Sequence, residues 1–174
     1  IGTVAALAAN PDAQVILASY ADSLAEDHSR EARRMITDNA DLLGITLAAD
    51  KQAVGRWRLA GRAGGLLATG IMSGVTGHGS TLLLIDDPVK NRTEADSAAF
   101  KARLLNEYRS TLATRLHPGA SVVLVMTRWA PDDLAGVLLD AEPDKWQLVN
   151  IPAVAEDGIP DAHRVMTSTT LAPG

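Results

Sequence analysis

Short, continuous apolar runs alternate along this chain with longer stretches in which apolar residues return at helical spacing. Residues 14–18 are an apolar, β-branched run after the turn-like Asn10-Pro11-Asp12, and predict a buried strand. Residues 22–36 follow with Leu24, His28, Met35 and Ile36 at helical spacing, and Asp22 or Ser23 is placed to cap that helix. Two short strands or a hairpin are expected at residues 57–60 and 66–72, around a glycine-rich turn. Residues 81–85 form a continuous apolar run, as a strand buried on both faces requires. Phe100, Leu104, Tyr108, Leu112 and Leu116 then recur every fourth residue, predicting one long helix from about Glu94 to the stop at Pro118-Gly119. A further buried strand is expected at residues 121–126 and another strand at 146–151, with a short helix between them, capped by Asp132 or Asp133 and running to Leu139.

Helices alternating with apolar strands imply an α/β fold with a mostly parallel sheet covered on both faces. Ligands of such sheets sit beyond the carboxyl ends of the strands. Three strand ends carry polar residues there: Ser19 and Tyr20, then Asp86 and Asp87, then Thr127, Arg128 and Trp129.

Composition narrows the setting. At 174 residues and 47% apolar content the chain is long and apolar enough for one α/β domain with a core. It has no cysteine, which removes disulfides and thiolate metal sites. No apolar run approaches membrane-spanning length, and no signal-peptide pattern opens the sequence. The first residue is Ile1 rather than Met, consistent with a truncated chain. A net charge of -5 argues against a broad cationic face wrapped around DNA, so any DNA contact must be local or shared with other subunits.

Leu82-Leu83-Leu84-Ile85-Asp86-Asp87 has the form of a Walker B strand. Its first carboxylate can hold Mg2+ directly or through water, and its second can orient or deprotonate the water that attacks a γ-phosphate. The competing explanation is a strand that ends in an Asp-Asp-Pro turn. A Walker A loop, with Lys before Ser or Thr, is nowhere in the sequence. The stretch Gly74-Val75-Thr76-Gly77-His78-Gly79-Ser80-Thr81 has the glycines and hydroxyls but no lysine, and it precedes a strand, so it reads as a turn.

Asp86-Asp87-Pro88-Val89-Lys90-Asn91 with Glu94, Ala95 and Ser97 resembles the Walker B region of phage terminase large subunits. Thr127-Arg128-Trp129 with Asp132, Asp133, Leu134 and Gly136 resembles another segment of the same family, as do Ser19-Tyr20 with Leu24-Ala25, Thr114-Arg115-Leu116 with Pro118-Gly119, and Trp146 with Ile151-Pro152-Ala153. The resemblance runs from about Asn10 to Ala153. It implies a P-loop NTPase-type three-layer fold cut before its Walker A strand and loop, with residues 1–154 belonging to the ATPase domain and residues 155–174 to a linker toward a nuclease domain. The residues before Asn10 would then be the end of the helix that follows the P-loop. The implied ligands are ATP and Mg2+. Asp86 would be the Mg2+ residue, with Ser19 and Tyr20 beside the nucleotide. Asp87 would be the catalytic acid and Thr127 the coupling residue that senses the γ-phosphate. Arg128 is a catalytic candidate whose competing role, shared with Trp129, is to brace that loop. The implied activity is ATP-driven translocation of double-stranded DNA into a procapsid. The implied partners are the capsid portal protein, a small terminase subunit and further copies in a ring, in the host bacterial cytoplasm and away from membranes.

The resemblance also implies that many relatives place an arginine, able to serve a neighbouring subunit's ATP, where this chain has His78; Arg56, Arg58 and Arg62 are nearby alternatives for that contact, or plain solvated surface residues. Two rival readings remain: a metal-dependent nuclease using Asp86 and Asp87, and a catalytically inactive prophage remnant. Other polar and aromatic residues have plainer expectations. His28 reads as a packed core residue, His117 and His163 as isolated and exposed, and Trp57, Trp129 and Trp146 as packing residues, with stacking on adenine or a base as the alternative.

Overall fold

The apolar run at residues 14–18 becomes β1 (Gln14–Ser19), central in a sheet of a computed structural model that describes residues 1–75 and 77–149. The other strands are β2 (Leu47–Ala53), β3 (Arg56–Leu59), β4 (Gly65–Gly70), β5 (Ser80–Asp86) and β6 (Leu116–Val125), in the order β2-β3-β4-β1-β5-β6. The pairs β4–β1, β1–β5 and β5–β6 are parallel; β2–β3 and β3–β4 are antiparallel. The sheet is therefore mostly parallel, with an antiparallel flap on one edge.

Both faces of β1 are buried, which explains its unbroken apolar run. Val15 and Leu17 face a cluster with Val4 and Leu7 of α1 (Gly2–Ala9) and Ala25, Ala32 and Ile36 of α2 (Asp22–Asp38), beyond which lies the short α3 (Ala40–Leu43). Ile16 and Ala18 face the opposite cluster. It contains Ala95 of α4 (Arg92–Asp96), Leu104 of α5 (Ala98–Glu107), and Leu134 and Leu138 of α6 (Leu134–Ala141). This is a three-layer arrangement, as expected.

The buried stripe of α2 is Ala25, Ser29, Ala32 and Ile36, one residue off the stripe expected from Leu24 and His28. Small residues at three of those positions let the helix lie close on the sheet. Neither Asp22 nor Ser23 is the cap: Ala21 occupies that position with no side-chain cap bond. Asp22, in the first turn, instead accepts hydrogen bonds from Gly70 N–H (2.6 Å), Ser73 Oγ (2.6 Å) and Thr69 Oγ (3.3 Å), clamping the end of β4 to α2. These bonds, led by that from Gly70, hold its carboxyl below the ordinary range against the opposing effect of burial.

The single long helix expected from residue 94 to Pro118 is corrected. Ser97 interrupts it and caps α5 through Phe100 N–H, and after α5 come a π-helical turn (Tyr108–Leu112) and a 3-10 turn (Ala113–Arg115). The cause lies in the spacing. Residues four apart advance about 40° round an α-helix at each step, so Leu104, Tyr108 and Leu112 would drift off one face. A wider π turn absorbs that drift, and all three are buried. Nor does Pro118-Gly119 end the helix. It lies inside β6, where Gly119 has φ 79° and the pairing slips between Ser80–Leu116 and Leu82–Ser121, a bulge that a proline and a glycine accommodate.

Of the strand expected at 146–151, residues 146–148 form none and Val149 makes an isolated bridge; Trp146 packs against the second cluster and lies 6.5 Å from Tyr108, ring centre to ring centre. The last residues of that strand, the proposed linker at 155–174 and His163 lie outside the described residues. β2 has no counterpart among the expected strands. Its residues carry no alternation because neither face of this edge strand is buried: Ala49, Asp50, Gln52 and Ala53 are all exposed.

Candidate functional site

The register of the parallel strands sets their polar ends level. Ser19 lies opposite Gly70 on one side and Asp86 on the other, and Asp86 lies opposite Val125. The backbone ties continue past the strands: Ile71 N–H donates to Ser19 C=O (2.7 Å), Tyr20 N–H to Asp87 C=O (3.3 Å), and Asp87 N–H to Val125 C=O (2.9 Å). Ser19, Tyr20, Asp86 and Asp87 therefore share one end of the sheet, and Thr127 follows two residues beyond Val125 on the neighbouring strand. Ser19 is 0% exposed, and its Oγ has no hydrogen-bond partner among the described residues.

Asp87 carries the one positive φ, 46°, found at a non-glycine among the described residues. The buried Pro88 and Val89 behind it and the two backbone bonds before it hold that conformation in place. Such a geometry costs on the order of 1–3 kcal/mol and concentrates at functional sites. Burial, and then the neighbouring charge of Asp86, push the Asp87 carboxyl above its ordinary range.

His28 departs from expectation. It is not packed in the core; its side chain is 42% exposed, and its Nε2 lies 3.0 Å from Asp86 Oδ2. No sequence spacing reveals this contact, because residues 28 and 86 meet only once α2 is laid on the sheet.

Beyond β6 the loop is organised by Asp133. Asp133 is 3% exposed and caps α6 by accepting from Gly136 N–H (2.9 Å). It also accepts from Trp129 N–H (3.1 Å) and Arg128 Nε (2.8 Å). Gly136 is required here, since a Cβ would collide with the carbonyl oxygen of Pro131. Asp132, the other cap candidate, instead pairs with Lys101 (2.6 Å). The guanidinium of Arg128 is thus engaged in bracing, while Thr127 is exposed. Burial raises the Asp133 carboxyl, but the Gly136 and Arg128 bonds outweigh it and hold the carboxyl below the ordinary range. A depressed folded-state pKa contributes stability that is present above the unfolded-state pKa and lost as pH falls through the folded one. Asp133→Ala is accordingly expected to cost about 2 kcal/mol at neutral pH, as a lost cap and a lost charged hydrogen bond together. Urea denaturation at neutral and acidic pH measures this, and the deficit should shrink in acid; no deficit at neutral pH would refute the bracing role.

The family model for the terminase large subunit, T4likevirus-type, N-terminal, matches residues 3–168. The chain belongs to this family. Among solved structures, it is similar to the HK97 bacteriophage large terminase, with a TM-score of 0.49 and 14% identity over 76% of this chain. The chain spans 26% of that protein's length. No curated protein matches.

In this terminase large-subunit chain the remaining candidates gather elsewhere. Arg56 and Arg58 of β3, with Gly77, His78 and Gly79, line a cavity of about 240 Å3 together with the first residues of β1. Gly79 leads into the start of β5, so this cavity is separated from Asp86 by the length of that strand, roughly 20 Å. The glycine-rich stretch before β5 therefore lies at the wrong end of the sheet to cradle a phosphate near Asp86. Arg62 is exposed. His117 is exposed, as expected, but its ring lies against Gly79. Trp57 is buried and Trp129 partly so, both as packing residues. Among the described residues no three His, Cys, Asp or Glu side chains converge as a metal-binding group, and no helix is long and apolar enough to cross a membrane.

Proposed function

We propose that this chain supplies the Walker B and coupling elements of an ATP-hydrolysing motor that translocates double-stranded viral DNA into a procapsid. The observation that carries this reading is the pair of adjacent carboxylates at the end of β5. Asp86 is level with Ser19 on one side and with Val125, on the strand leading to Thr127, on the other, and Asp87 follows it in a left-handed backbone conformation. Oxygen donors suit Mg2+: Asp86 Oδ1 has no partner among the described residues, and the orphaned Ser19 hydroxyl is its neighbour in register. Asp86 would hold the ion, which neutralises phosphate charge when bound. Asp87 would orient and deprotonate the attacking water, its raised pKa making it a stronger base than an ordinary aspartate. Ser19 and Tyr20 would border the nucleotide, and Thr127 would couple its state to the loop that Asp133 braces.

A phosphate cradle is not part of these elements and has to come from residues outside them. The outer edge of β6 pairs with no strand among the described residues and leaves Val123 and Val125 exposed, so a further strand has room there. Residues 1–154 would be the ATPase portion, and residues 155–174 the connection toward a nuclease domain. The portal protein, a small terminase subunit and further copies in a ring would complete the motor. A nuclease centred on Asp86 and Asp87 would need a third metal-binding carboxylate, and none converges on them among the described residues.

The test compares two proteins. A whole large subunit carrying this chain is expected to hydrolyse ATP in a Mg2+-dependent manner, and the 174 residues alone to turn over negligibly. Absence of hydrolysis in the whole subunit, with and without DNA and portal, would favour the inactive-remnant reading. Robust turnover by the 174 residues alone would show that the phosphate cradle lies within them.

A further inference from the structure

We infer that His28 is a positioning residue for Asp86: it fixes one carboxylate oxygen from α2 and leaves the other available to a divalent cation. The inference rests on the reading of Asp86 as the Mg2+ residue.

The contact joins His28 Nε2 to Asp86 Oδ2 at 3.0 Å, while Oδ1 has no partner among the described residues. It differs from the other ion pairs of α2 among the described residues. Arg30 pairs with Glu26 and Asp27, and Arg34 with Glu31 and Asp38, all within the helix's own turns. Among the described residues, only His28 reaches from that helix to a carboxylate at the end of a central strand. The helix that carries it is firmly seated. Adjacent Ser29 is fully buried and accepts from Trp57 Nε1 (2.9 Å), Ala25 is also fully buried, and Asp22 clamps the first turn to β4. The imidazole is therefore delivered by a docked element, and its position relative to β5 is set by core packing. A carboxylate that meets Mg2+ through one oxygen needs its other oxygen held, or it rotates away from the productive geometry. Partners of this kind, behind a metal ligand, typically contribute about 10–100-fold to metal affinity.

The partial exposure of His28 separates this role from a structural one. Replacing a side chain 42% exposed, away from the core clusters, should leave folding nearly unchanged. The experiment uses the whole large subunit with ATP, titrated with Mn2+ and followed by electron paramagnetic resonance, alongside ATP hydrolysis against Mg2+ concentration. His28→Ala is expected to weaken Mn2+ affinity and raise the Mg2+ requirement by about 10–100-fold. It should also leave kcat at saturating Mg2+ near wild type and the thermal midpoint unmoved. His28→Gln, which keeps an N–H donor, should recover part of the affinity. Unchanged Mn2+ affinity in His28→Ala, with affinity lost in Asp86→Asn, would overturn the positioning role and leave Asp86 as the metal residue. Unchanged affinity in Asp86→Asn, or no Mn2+ bound by the wild type, would overturn both.

Discussion

Asp87→Asn in the whole large subunit is expected to lower kcat for ATP hydrolysis by about 10²–10⁴-fold, the usual loss when a general base is removed. The substitution isolates the chemistry well. Asparagine tolerates left-handed backbone about as readily as aspartate does, so the φ of 46° is no obstacle to it. Asparagine keeps the size and removes the basic oxygen. Asp86→Asn removes the same charge one residue earlier but should damage a different quantity. A metal ligand acts in the ground state as well as the transition state, so Mg2+-ATP binding should weaken together with turnover. In Asp87→Asn, nucleotide affinity should stay close to wild type. Equilibrium nucleotide binding and single-turnover hydrolysis on both variants read this difference. Near-normal hydrolysis in Asp87→Asn would reduce Asp87 to a turn residue before Pro88 and send the search for the base elsewhere.

The same substitution has a second signature, in stability, with the opposite sign. The Asp87 carboxyl is pushed above its ordinary range by burial and by Asp86. A raised folded-state pKa on an acid means that the ionised form is disfavoured in the fold. That penalty is fully present above the folded pKa and disappears below the unfolded one. Asp87→Asn should therefore raise the thermal midpoint at neutral pH, and the gain should vanish in acid. Lower turnover with higher stability is the pattern of a functional residue held in an unfavourable electrostatic environment.

The distinction between legible and illegible features follows from what each residue's neighbours contribute. β1 and β5 were readable because both faces of a central parallel strand are buried, so the apolar run is unbroken. The level placement of Ser19, Asp86 and the β6 end followed from the rule that ligands meet parallel strands at their carboxyl ends. The π turn was hidden because a four-residue period looks helical until its angular drift is summed. The buried stripe of α2 lies one residue from the expected one because its members Ala25, Ser29 and Ala32 are small, while the larger Leu24 and His28 have the spacing of a core face. β2 has no alternating pattern because neither of its faces is buried. The contact between His28 and Asp86 had no local signal at all, since it depends on how α2 docks. The family resemblance, carried by ordered motifs near strand ends, was legible where the tertiary contacts were not.

Trp57→Ala is expected to destabilise the fold by about 3–5 kcal/mol, the cost of emptying a large aromatic site in a core. Trp57 is 1% exposed and sits in the cluster beneath α2, on the short strand β3. It is opposite Gln52 of β2 and Leu66 of β4 in register, so it anchors the antiparallel flap to the parallel sheet. Its indole N–H donates to Ser29 Oγ, and Ser29 in turn donates to the carbonyl of Val54 in the turn between β2 and β3. One side chain therefore links the helix, the hairpin and the sheet. Domain stabilities are about 5–15 kcal/mol, so the loss should leave the flap frayed or the whole domain marginal. Trp57→Phe separates the two contributions. It retains most of the ring volume and removes the hydrogen bond, so the bond alone should account for about 1 kcal/mol of its cost. Urea denaturation gives both free energies, and hydrogen exchange in β2 and β3 shows whether the flap opens first. If Trp57→Ala proves no more costly than Trp57→Phe, the bond to Ser29 rather than the packing holds the flap.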